Sequence, residues 1–198
     1  MPRDGTATRD RILDAAEHLV IENGFTATSV DQVLDAASTS KGAFFHHFAS
    51  KLELGRALVA RYVAADLAHL DGALAATEGI TDPVERALAF VRVFEDTADE
   101  LMSAQSGCLY MSVLTERQLA DTGEPILGAV VAWREAYAGL LRAALGRRSR
   151  RVDVDALADS LFVTFEGAFL LCRSTGDPEH MRRQLATHRS LVEALLNQ

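Results

Sequence analysis

The sequence predicts an all-α protein of about nine helices. Its 198 residues include only four prolines, and apolar residues recur at i, i+3 and i+4 through long stretches rich in Ala, Leu, Arg and Glu. No segment sustains the alternation of apolar and polar residues that is typical of a strand. Hydrophobic residues make up 48% of the chain, which is enough apolar surface for a packed core without disulfides or structural metals.

Three helices are predicted first. One is expected from about Thr8 to Asn23, and Gly24 stands where a left-handed C-terminal cap belongs. Thr28 and Ser29 are both suited to cap a second helix of about two turns. After a break of three residues, a third short helix ends near Phe48. Two short helices joined by a tight turn, with a longer helix before them, form the helix-turn-helix arrangement of DNA-binding proteins.

The third helix has the composition of a DNA-recognition helix. The only two lysines of the chain, Lys41 and Lys51, flank an aromatic and histidine-rich stretch at residues 42–48. Helical spacing puts Phe44 and Phe48 together on a core-facing side and leaves a second side for the remaining residues. Cations at both ends and aromatic rings between them suit contact with phosphates and bases.

The distribution of charge is compatible with DNA binding although the net charge is −8. Residues 1–61 hold seven Lys and Arg against eight Asp and Glu, so thirteen basic and twenty acidic residues lie in the rest of the chain. The acidity therefore belongs mostly to the C-terminal part. A near-neutral N-terminal region with a local basic face can still attract DNA phosphates.

Six further helices are predicted after residue 50, and their caps and breaks mark their ends. They are a long fourth helix from Ser50 to about Leu74, a fifth from Asp82-Pro83, a sixth after Gly107 that ends at Gly123, a seventh from Pro125 to about Gly146, and an αα-hairpin over residues 154–174 and 178–196.

The eighth helix indicates a homodimer because it is apolar on more than one face. A helix that packs against one surface needs one apolar stripe. Pairing of two copies about a two-fold axis would bury the surplus, and DNA-binding proteins that read palindromic half-sites are commonly two-fold dimers. Its apolar residues are Leu157, Leu161, Phe162, Phe165, Phe169, Leu170 and Leu171.

Residues Thr8–Tyr62 resemble the DNA-binding domain of TetR-family transcriptional regulators. The resemblance rests on residues 11–16, 23–25, 28–30 and 40–48, together with Lys51 and Leu54, in the order and spacing of the family. The C-terminal part agrees in helix number and in a Gly107-Cys108-Leu109 turn that some members have. The resemblance implies a helix-turn-helix domain at residues 1–50 and a ligand-binding and dimerisation domain at 51–198, with the fourth helix, about 51–74, linking the two.

The resemblance also implies a repressor dimer whose third helix enters the major groove of a palindromic operator. The sequence departs from the family at Ser38, where Gly is usual, and at Phe45, where Tyr is usual. Loss of the tyrosine hydroxyl favours contact of Phe45 with a thymine methyl or a sugar. Carried over by position, Lys41, Ala43, Phe45 and His46 face the groove, Thr28, His47 and Lys51 face the phosphates or the groove edge, and Ser40 and Gly42 complete the predicted DNA-binding set.

An effector pocket is implied for the C-terminal bundle, and such pockets are mostly apolar with a few polar groups. Glu166 is expected either to face a cationic or hydrogen-bonding effector or to pair with Arg134 or Arg173, because an unpaired buried carboxylate is costly. The predicted lining residues are Phe90, Phe94, Met102, Cys108, Met111, Leu114, Trp133, Tyr137, Phe162, Phe165, Glu166 and Phe169.

Cys108 is open to two interpretations. It follows Gly107 at a predicted helix N-terminus, where the helix dipole and unpaired amides favour a reactive thiolate. A buried cysteine that acts as a small apolar residue is the commoner case. The effector is accordingly expected to be a small apolar or electrophilic molecule.

Other classes of protein fit the sequence less well. A carboxylate-bridged metal enzyme needs two Glu-x-x-His pairs on facing helices, and the nearest match is a single Asp66-x-x-His69. The chain has no GxSxG, HExxH, P-loop or dinucleotide-binding motif. We therefore expect no catalytic activity, metal or cofactor. The alternative from another class is a dimeric helical protein that binds small molecules or a partner without binding DNA.

Cysteine usage and hydropathy indicate a cytoplasmic protein. Cys108 and Cys172 are the only cysteines and form no CxxC motif, so a disulfide framework is not expected. The N-terminus is polar, and no apolar run approaches the roughly 18 residues of a membrane span.

Overall fold

The fold is all-α, as the sequence predicts. In a computed structural model, the structure describes residues 5–104, 107–114 and 116–197. Within these ranges there are helices, turns and bends but no β-strand. The ten α-helices of the described residues are α1 Gly5–Asn23, α2 Val30–Ala36, α3 Lys41–His47, α4 Lys51–Ala76, α5 Pro83–Asp96, α6 Ala98–Ala104, α7 Leu109–Leu114, α8 Gly123–Leu145, α9 Val154–Thr175 and α10 Glu179–Leu196; 3-10 segments cover Arg117–Thr122 and Gly146–Arg151.

One short helix and one boundary differ from the sequence prediction. Helix α5 is capped at Thr97, whose hydroxyl donates to the Val93 carbonyl at 2.9 Å, and α6 follows as a separate short helix that was not predicted. Gly123 begins α8 instead of ending the helix before it. The reason is that a 3-10 segment runs directly into α8, and the Thr122 hydroxyl donates to the Leu119 carbonyl at 2.7 Å within it.

Side-chain caps set the starts of the two short helices. Ser29 caps α2: its hydroxyl accepts from the Gln32 N–H at 3.2 Å, and the Gln32 side chain accepts from the Ser29 N–H at 2.7 Å. Ser40 caps α3 by accepting from the Ala43 N–H at 3.2 Å. Between them Ser38 has a φ of +48°, a left-handed conformation that glycine adopts more readily.

The chain forms two compact units. The first comprises residues up to Ala64 together with Cys108–Leu127, and the second comprises Ala65–Gly107 and the residues from Gly128 onward. A segment from the C-terminal half of the chain therefore packs with the three N-terminal helices. The division into domains at residue 50 remains a prediction. The largest fully buried side chains of the first unit are Ile12, Leu13, Phe25, Phe44, Phe48, Leu58, Leu109, Leu119 and Ile126, and those of the second are Phe90, Tyr137 and Leu141.

Ion pairs on α10 support the second unit, in which α10 packs against α5 and α9. Arg189 donates to both carboxylate oxygens of Glu95 on α5, at 2.5 and 3.2 Å, and both side chains are mostly buried. Arg148, within the basic run 147–151, donates to the Leu196 carbonyl at 2.6 Å. That guanidinium therefore neutralises the C-terminal end of α10.

Gly55 on α4 is closely packed within the first unit. A Cβ atom at this position would lie 2.6 Å from Cε2 of Phe25 and 2.8 Å from Cδ2 of Leu119. We expect Gly55→Ala to lower the free energy of unfolding by about 1–2 kcal/mol, because overpacking a tight core outweighs the gain in helix propensity. Urea unfolding measures the change.

Gly72→Ala, also on α4, is the matched control because nothing lies within 4 Å of its Cβ position. The control is expected to be as stable as the wild type or up to about 1 kcal/mol more stable. Equal stability of the two variants would contradict the packing described at Gly55.

Candidate DNA-binding site

Helix α3 is fixed to the first unit by two phenylalanines. Phe44 and Phe48 are fully buried, and their ring centroids are 5.7 Å apart. The guanidinium of Arg9 on α1 lies 5.4 Å from the centre of the Phe48 ring. The helix ends there, where the Phe48 N–H donates to the Phe44 carbonyl at 2.9 Å. These contacts confirm the core-facing side predicted for α3 and fix its orientation.

The other side of α3 presents the predicted groove-facing residues. Lys41, Gly42 and His46 are exposed, and Phe45 is 50% exposed although it is aromatic. The Phe45 ring packs edge-on against the Phe44 ring, with the two centroids 5.2 Å apart. Ala43 and His47 are half-buried. A large apolar ring kept partly in solvent beside basic groups is suited to contact with DNA.

Thr28 differs from the other predicted DNA-binding residues. Its side chain is buried, with 3% of its surface exposed, and its hydroxyl lies 2.9 Å from the Gly24 carbonyl and 3.2 Å from the Leu19 carbonyl. The hydroxyl donates within the turn after α1. The expectation that this side chain faces a phosphate therefore does not match its position, since its only proton is used inside the fold.

Lys51 at the start of α4 is held by the loop before α2. Its ammonium donates to the Thr26 carbonyl at 3.2 Å and lies 4.6 Å above the centre of the Phe25 ring. Burial lowers the pKa of Lys51, while the nearby carboxylate of Glu116 acts in the opposite direction. The hydrogen bond to Thr26 and the contact with the Phe25 ring hold the Lys51 ammonium in a defined position.

Glu116 is a residue of this region that the sequence did not single out. One carboxylate oxygen accepts from the Thr26 N–H at 3.0 Å and the other from the Thr26 hydroxyl at 2.5 Å. These two hydrogen bonds are the main reason that the pKa of Glu116 is lowered. The chain separates the two residues by 90 positions, so no local pattern could have indicated the contact.

The predicted effector residues of the second unit include a cluster of aromatic rings. Tyr137 stacks on Phe90 at 5.4 Å, and Trp133 lies 5.2 Å from Phe94 and 6.3 Å from Phe165. The Trp133 indole N–H is buried and has no hydrogen-bond acceptor in the part of the chain that the structure describes. Five of the predicted lining residues are therefore together.

Other predicted effector residues have different positions. Met111 and Leu114 are more than half exposed in the first unit, so the expectation that they line an enclosed pocket is wrong; the short helix α7 directs them to the surface. Cys108 is buried in the first unit. In the second unit Phe169 is buried, whereas Met102, Phe162 and Glu166 are half-buried.

Arg134, one of two arginines considered as a partner of Glu166, pairs with Asp159 at 2.5 and 2.9 Å instead.

No group of three His, Cys, Asp or Glu residues is placed to hold a metal ion in the described ranges. The same ranges contain no helix that could span a membrane.

His188 belongs to the aromatic cluster and was missed by the sequence prediction. Its Nε2 lies 3.4 Å from the Tyr137 hydroxyl, and only 7% of its surface is exposed. Burial raises the pKa of Tyr137 and lowers the pKa of His188 from 6.5 to about 4. The spacing of Leu185, His188 and Val192 on one face of α10 was the signal that could have indicated its burial.

The buried histidine predicts a loss of stability in mild acid. The folded protein binds this proton less readily than the unfolded chain, so the contribution of neutral His188 is complete above pH 6.5 and is lost as pH falls toward 4. Between pH 7 and pH 5 the loss is about 2 kcal/mol. We expect His188→Gln to remove this part of the pH dependence in urea unfolding, whereas the exposed control His69→Gln keeps it. Parallel pH profiles for wild type and His188→Gln would contradict the assignment.

Comparison with known protein families identifies the two parts of the chain. The family model described as bacterial regulatory proteins, tetR family, matches residues 12–58. The model described as tetracyclin repressor-like, C-terminal domain, matches residues 83–188. The first range contains α2 and α3, and the second contains the aromatic cluster and Glu116.

Two curated relatives are similar to this chain over most of its length. The transcriptional regulator AcuR of Cereibacter sphaeroides is 33% identical over 85% of this chain and 77% of its own length. The HTH-type transcriptional repressor NemR of Escherichia coli strain K12 is 30% identical over 93% of this chain and 94% of its own length.

Two solved structures have a similar fold over most of this chain. A regulatory protein TetR from Rhodobacter sphaeroides has a TM-score of 0.71 at 27% identity, with 93% of this chain and 96% of that chain covered. SCO4454, a TetR-family regulator from Streptomyces coelicolor, has a TM-score of 0.77 at 17% identity, with 98% and 97% covered, and supports the fold alone. The chain belongs to the TetR family: it is a transcriptional regulator with a DNA-binding helix-turn-helix, and not an enzyme.

Proposed function

We propose that this regulator is a homodimeric repressor in the cytoplasm that binds a palindromic operator and is released from it by a small effector. The observation that carries the proposal is the two-sided construction of α3. Buried Phe44 and Phe48 fix the helix, and Lys41, Phe45 and His46 point outward from it. A fixed helix with exposed cationic, aromatic and imidazole side chains suits the major groove.

Each exposed residue has a role in this proposal. Lys41 and His46 donate hydrogen bonds to base edges, and Phe45 contacts a thymine methyl or a sugar. His47 and Lys51 lie at the edge of this side and contact phosphates, which set the register without reading sequence. Ser40 caps α3, and Gly42 and Ala43 lie in its first turn, where small side chains allow a close approach to DNA.

Exposed apolar residues on α9 and α10 support the dimer. Leu170 and Leu191 are 67% and 68% exposed, and Val163, seven residues before Leu170, is 66% exposed. Solvated leucines on two neighbouring helices of one unit are best covered by a second copy, because a two-fold axis brings identical faces together. A dimer also presents two copies of α3 to the two half-sites of a palindrome.

The aromatic cluster around Trp133 supports a mainly apolar effector. The buried indole N–H has no acceptor among the described residues, and an unsatisfied buried donor is costly. We infer that the effector brings an acceptor oxygen to this N–H while its apolar part lies against Phe94 and Phe165. A reactive electrophile that modifies Cys108 is the second candidate; it is supported by the position of this thiol directly before the start of α7.

Repression is favoured over activation by the extent of similarity. NemR, a repressor by name, matches 93% of this chain. The transcriptional activator FasR of Mycolicibacterium smegmatis is 32% identical over 61% of the chain and 52% of its own length.

In the proposed mechanism the effector prefers a dimer in which the two α3 helices are not spaced at the roughly 34–36 Å between successive major grooves.

Selection of genomic DNA tests the proposal. Purified protein is mixed with genomic fragments, including DNA that flanks its own gene, and the retained fragments are sequenced at two salt concentrations. We expect an enriched palindrome that is retained less at high salt, and a reporter that carries it should be repressed by the protein. No enrichment at either salt concentration would favour a helical binding protein that does not bind DNA.

A further inference from the structure

We propose that Glu116 is a positioning residue for operator binding, which holds the loop before α2 and, through that loop, the ammonium of Lys51 in its phosphate-binding position. The proposal rests on the proposed function, because it assigns a role in DNA binding to a residue outside the helix-turn-helix. Glu116 lies between α7 and the 3-10 segment Arg117–Thr122, within the C-terminal family domain.

Thr26 connects Glu116 to Lys51 because it forms hydrogen bonds with both side chains. Its N–H and its hydroxyl donate to the two carboxylate oxygens of Glu116, at 3.0 and 2.5 Å. Its carbonyl accepts from the Lys51 ammonium at 3.2 Å. With both of its donors held by Glu116, the peptide of Thr26 keeps one orientation and its carbonyl fixes the position of Lys51.

The position of Lys51 suits a phosphate contact. An ammonium has three N–H donors, and the Thr26 carbonyl takes one of them. The Phe25 ring, 4.6 Å from the ammonium, supports the charge from another direction. A lysine that is already ordered loses less side-chain entropy when it binds a phosphate than a mobile one.

The segment that carries Glu116 is itself fixed to the DNA-binding unit. Asp121 accepts from Arg56 of α4 at 2.7 Å, and the Ser112 hydroxyl lies 3.5 Å from the Ile21 carbonyl of α1. Leu119 lies against Gly55, where no larger residue fits without a shift. Glu116 is therefore a defined part of this surface and not a chance contact of a loop.

Hydrogen bonding, more than charge, gives Glu116 this role. The Thr26 hydroxyl and amide are the two largest causes of the lowered pKa of Glu116, ahead of the charge of Lys51. Charge effects between groups near solvent are weakened by screening. Glutamine, a neutral side chain of the same shape, should therefore preserve the arrangement: its carbonyl oxygen would accept from the Thr26 N–H, and its NH2 would donate to the Thr26 hydroxyl oxygen, whose proton turns away.

The test measures binding of wild-type and variant proteins to a duplex selected from genomic DNA, as a function of salt. For Glu116→Ala we expect a Kd roughly tenfold higher at 0.1 M NaCl and a plot of log Kd against log salt that is shallower by about 2 per dimer, one phosphate contact for each protomer. Lys51→Ala should give the same change, and the double variant should add nothing to it. Glu116→Gln should stay within about threefold of wild type with the wild-type slope.

Thr26→Val provides a second variant, since it keeps the N–H and removes the hydroxyl; we expect a smaller loss of affinity than for Glu116→Ala. Circular dichroism checks that each variant is folded. A wild-type salt slope or tighter binding for Glu116→Ala, or losses that add in the double variant, would overturn the role of Glu116 while leaving the proposed function intact. Failure of the wild-type protein to select any duplex would overturn the proposed function, and this inference with it.

Discussion

A protein that carries both Leu170→Glu and Leu191→Glu is expected to be monomeric and to bind its operator at least roughly 100-fold more weakly than wild type. Both side chains are about two-thirds exposed on the second unit. In the proposed dimer they are buried against a second copy, so each glutamate would place a charge in an apolar interface. A monomer binds one half-site at a time, so it loses the binding free energy that contact with the second half-site adds in the dimer.

Sedimentation measures the oligomeric state, and titration of the selected duplex measures the affinity. Leu127→Glu is the control, because Leu127 is also well exposed, at 62%, but lies in the first unit. The control is expected to remain dimeric and to keep operator affinity. A Leu170→Glu, Leu191→Glu protein that remains a dimer with full affinity would show that another surface pairs the protomers.

His46→Ala is expected to weaken operator binding at least about 30-fold while leaving binding to unrelated DNA nearly unchanged. A base contact is worth about 1–3 kcal/mol, and the dimer makes each contact twice. Because a base contact differs from a phosphate contact, the salt dependence should keep its wild-type slope. Lys41→Ala should lower specificity in the same way, because Lys41 is proposed to donate to a base edge as well.

His18→Ala is the matched control, since its imidazole is 70% exposed on α1, outside the proposed DNA-binding side. It should bind operator and unrelated DNA as wild type does. A His46→Ala protein with unchanged operator affinity would contradict the assignment of α3 as the recognition helix.

The DNA-binding side could be predicted from sequence because its determinants are local. Ser29 with Gln32 and Ser40 with Ala43 are capping contacts within three residues, and helical spacing alone separates buried Phe44 from exposed Phe45. The prediction that Thr28 faces a phosphate does not match the structure. Ser29 beside it is the cap of α2, and the Thr28 hydroxyl donates to the Gly24 carbonyl in the preceding turn.

The contacts missed by the sequence prediction are long-range. The pairing of Thr26 with Glu116 and the close approach of Gly55 to Leu119 depend on the packing of residues 108–127 with the N-terminal helices. Met111 and Leu114 were assigned to a pocket because they are apolar, but apolarity does not fix the direction of a helix of six residues. The sequence prediction omitted His188, although its position on the apolar face of α10 indicated that it is buried.

If α3 reads a specific DNA sequence, the protein must distinguish two duplexes of the same base composition, and the ratio of two dissociation constants measures this. The Kd for a duplex selected from genomic DNA is compared with the Kd for the same bases in scrambled order, at 0.15 M salt and for the wild-type protein. We predict that the selected duplex binds at least about 10³-fold more tightly. Equal affinity for the two duplexes, or no measurable binding to either, would show that α3 does not read a specific DNA sequence.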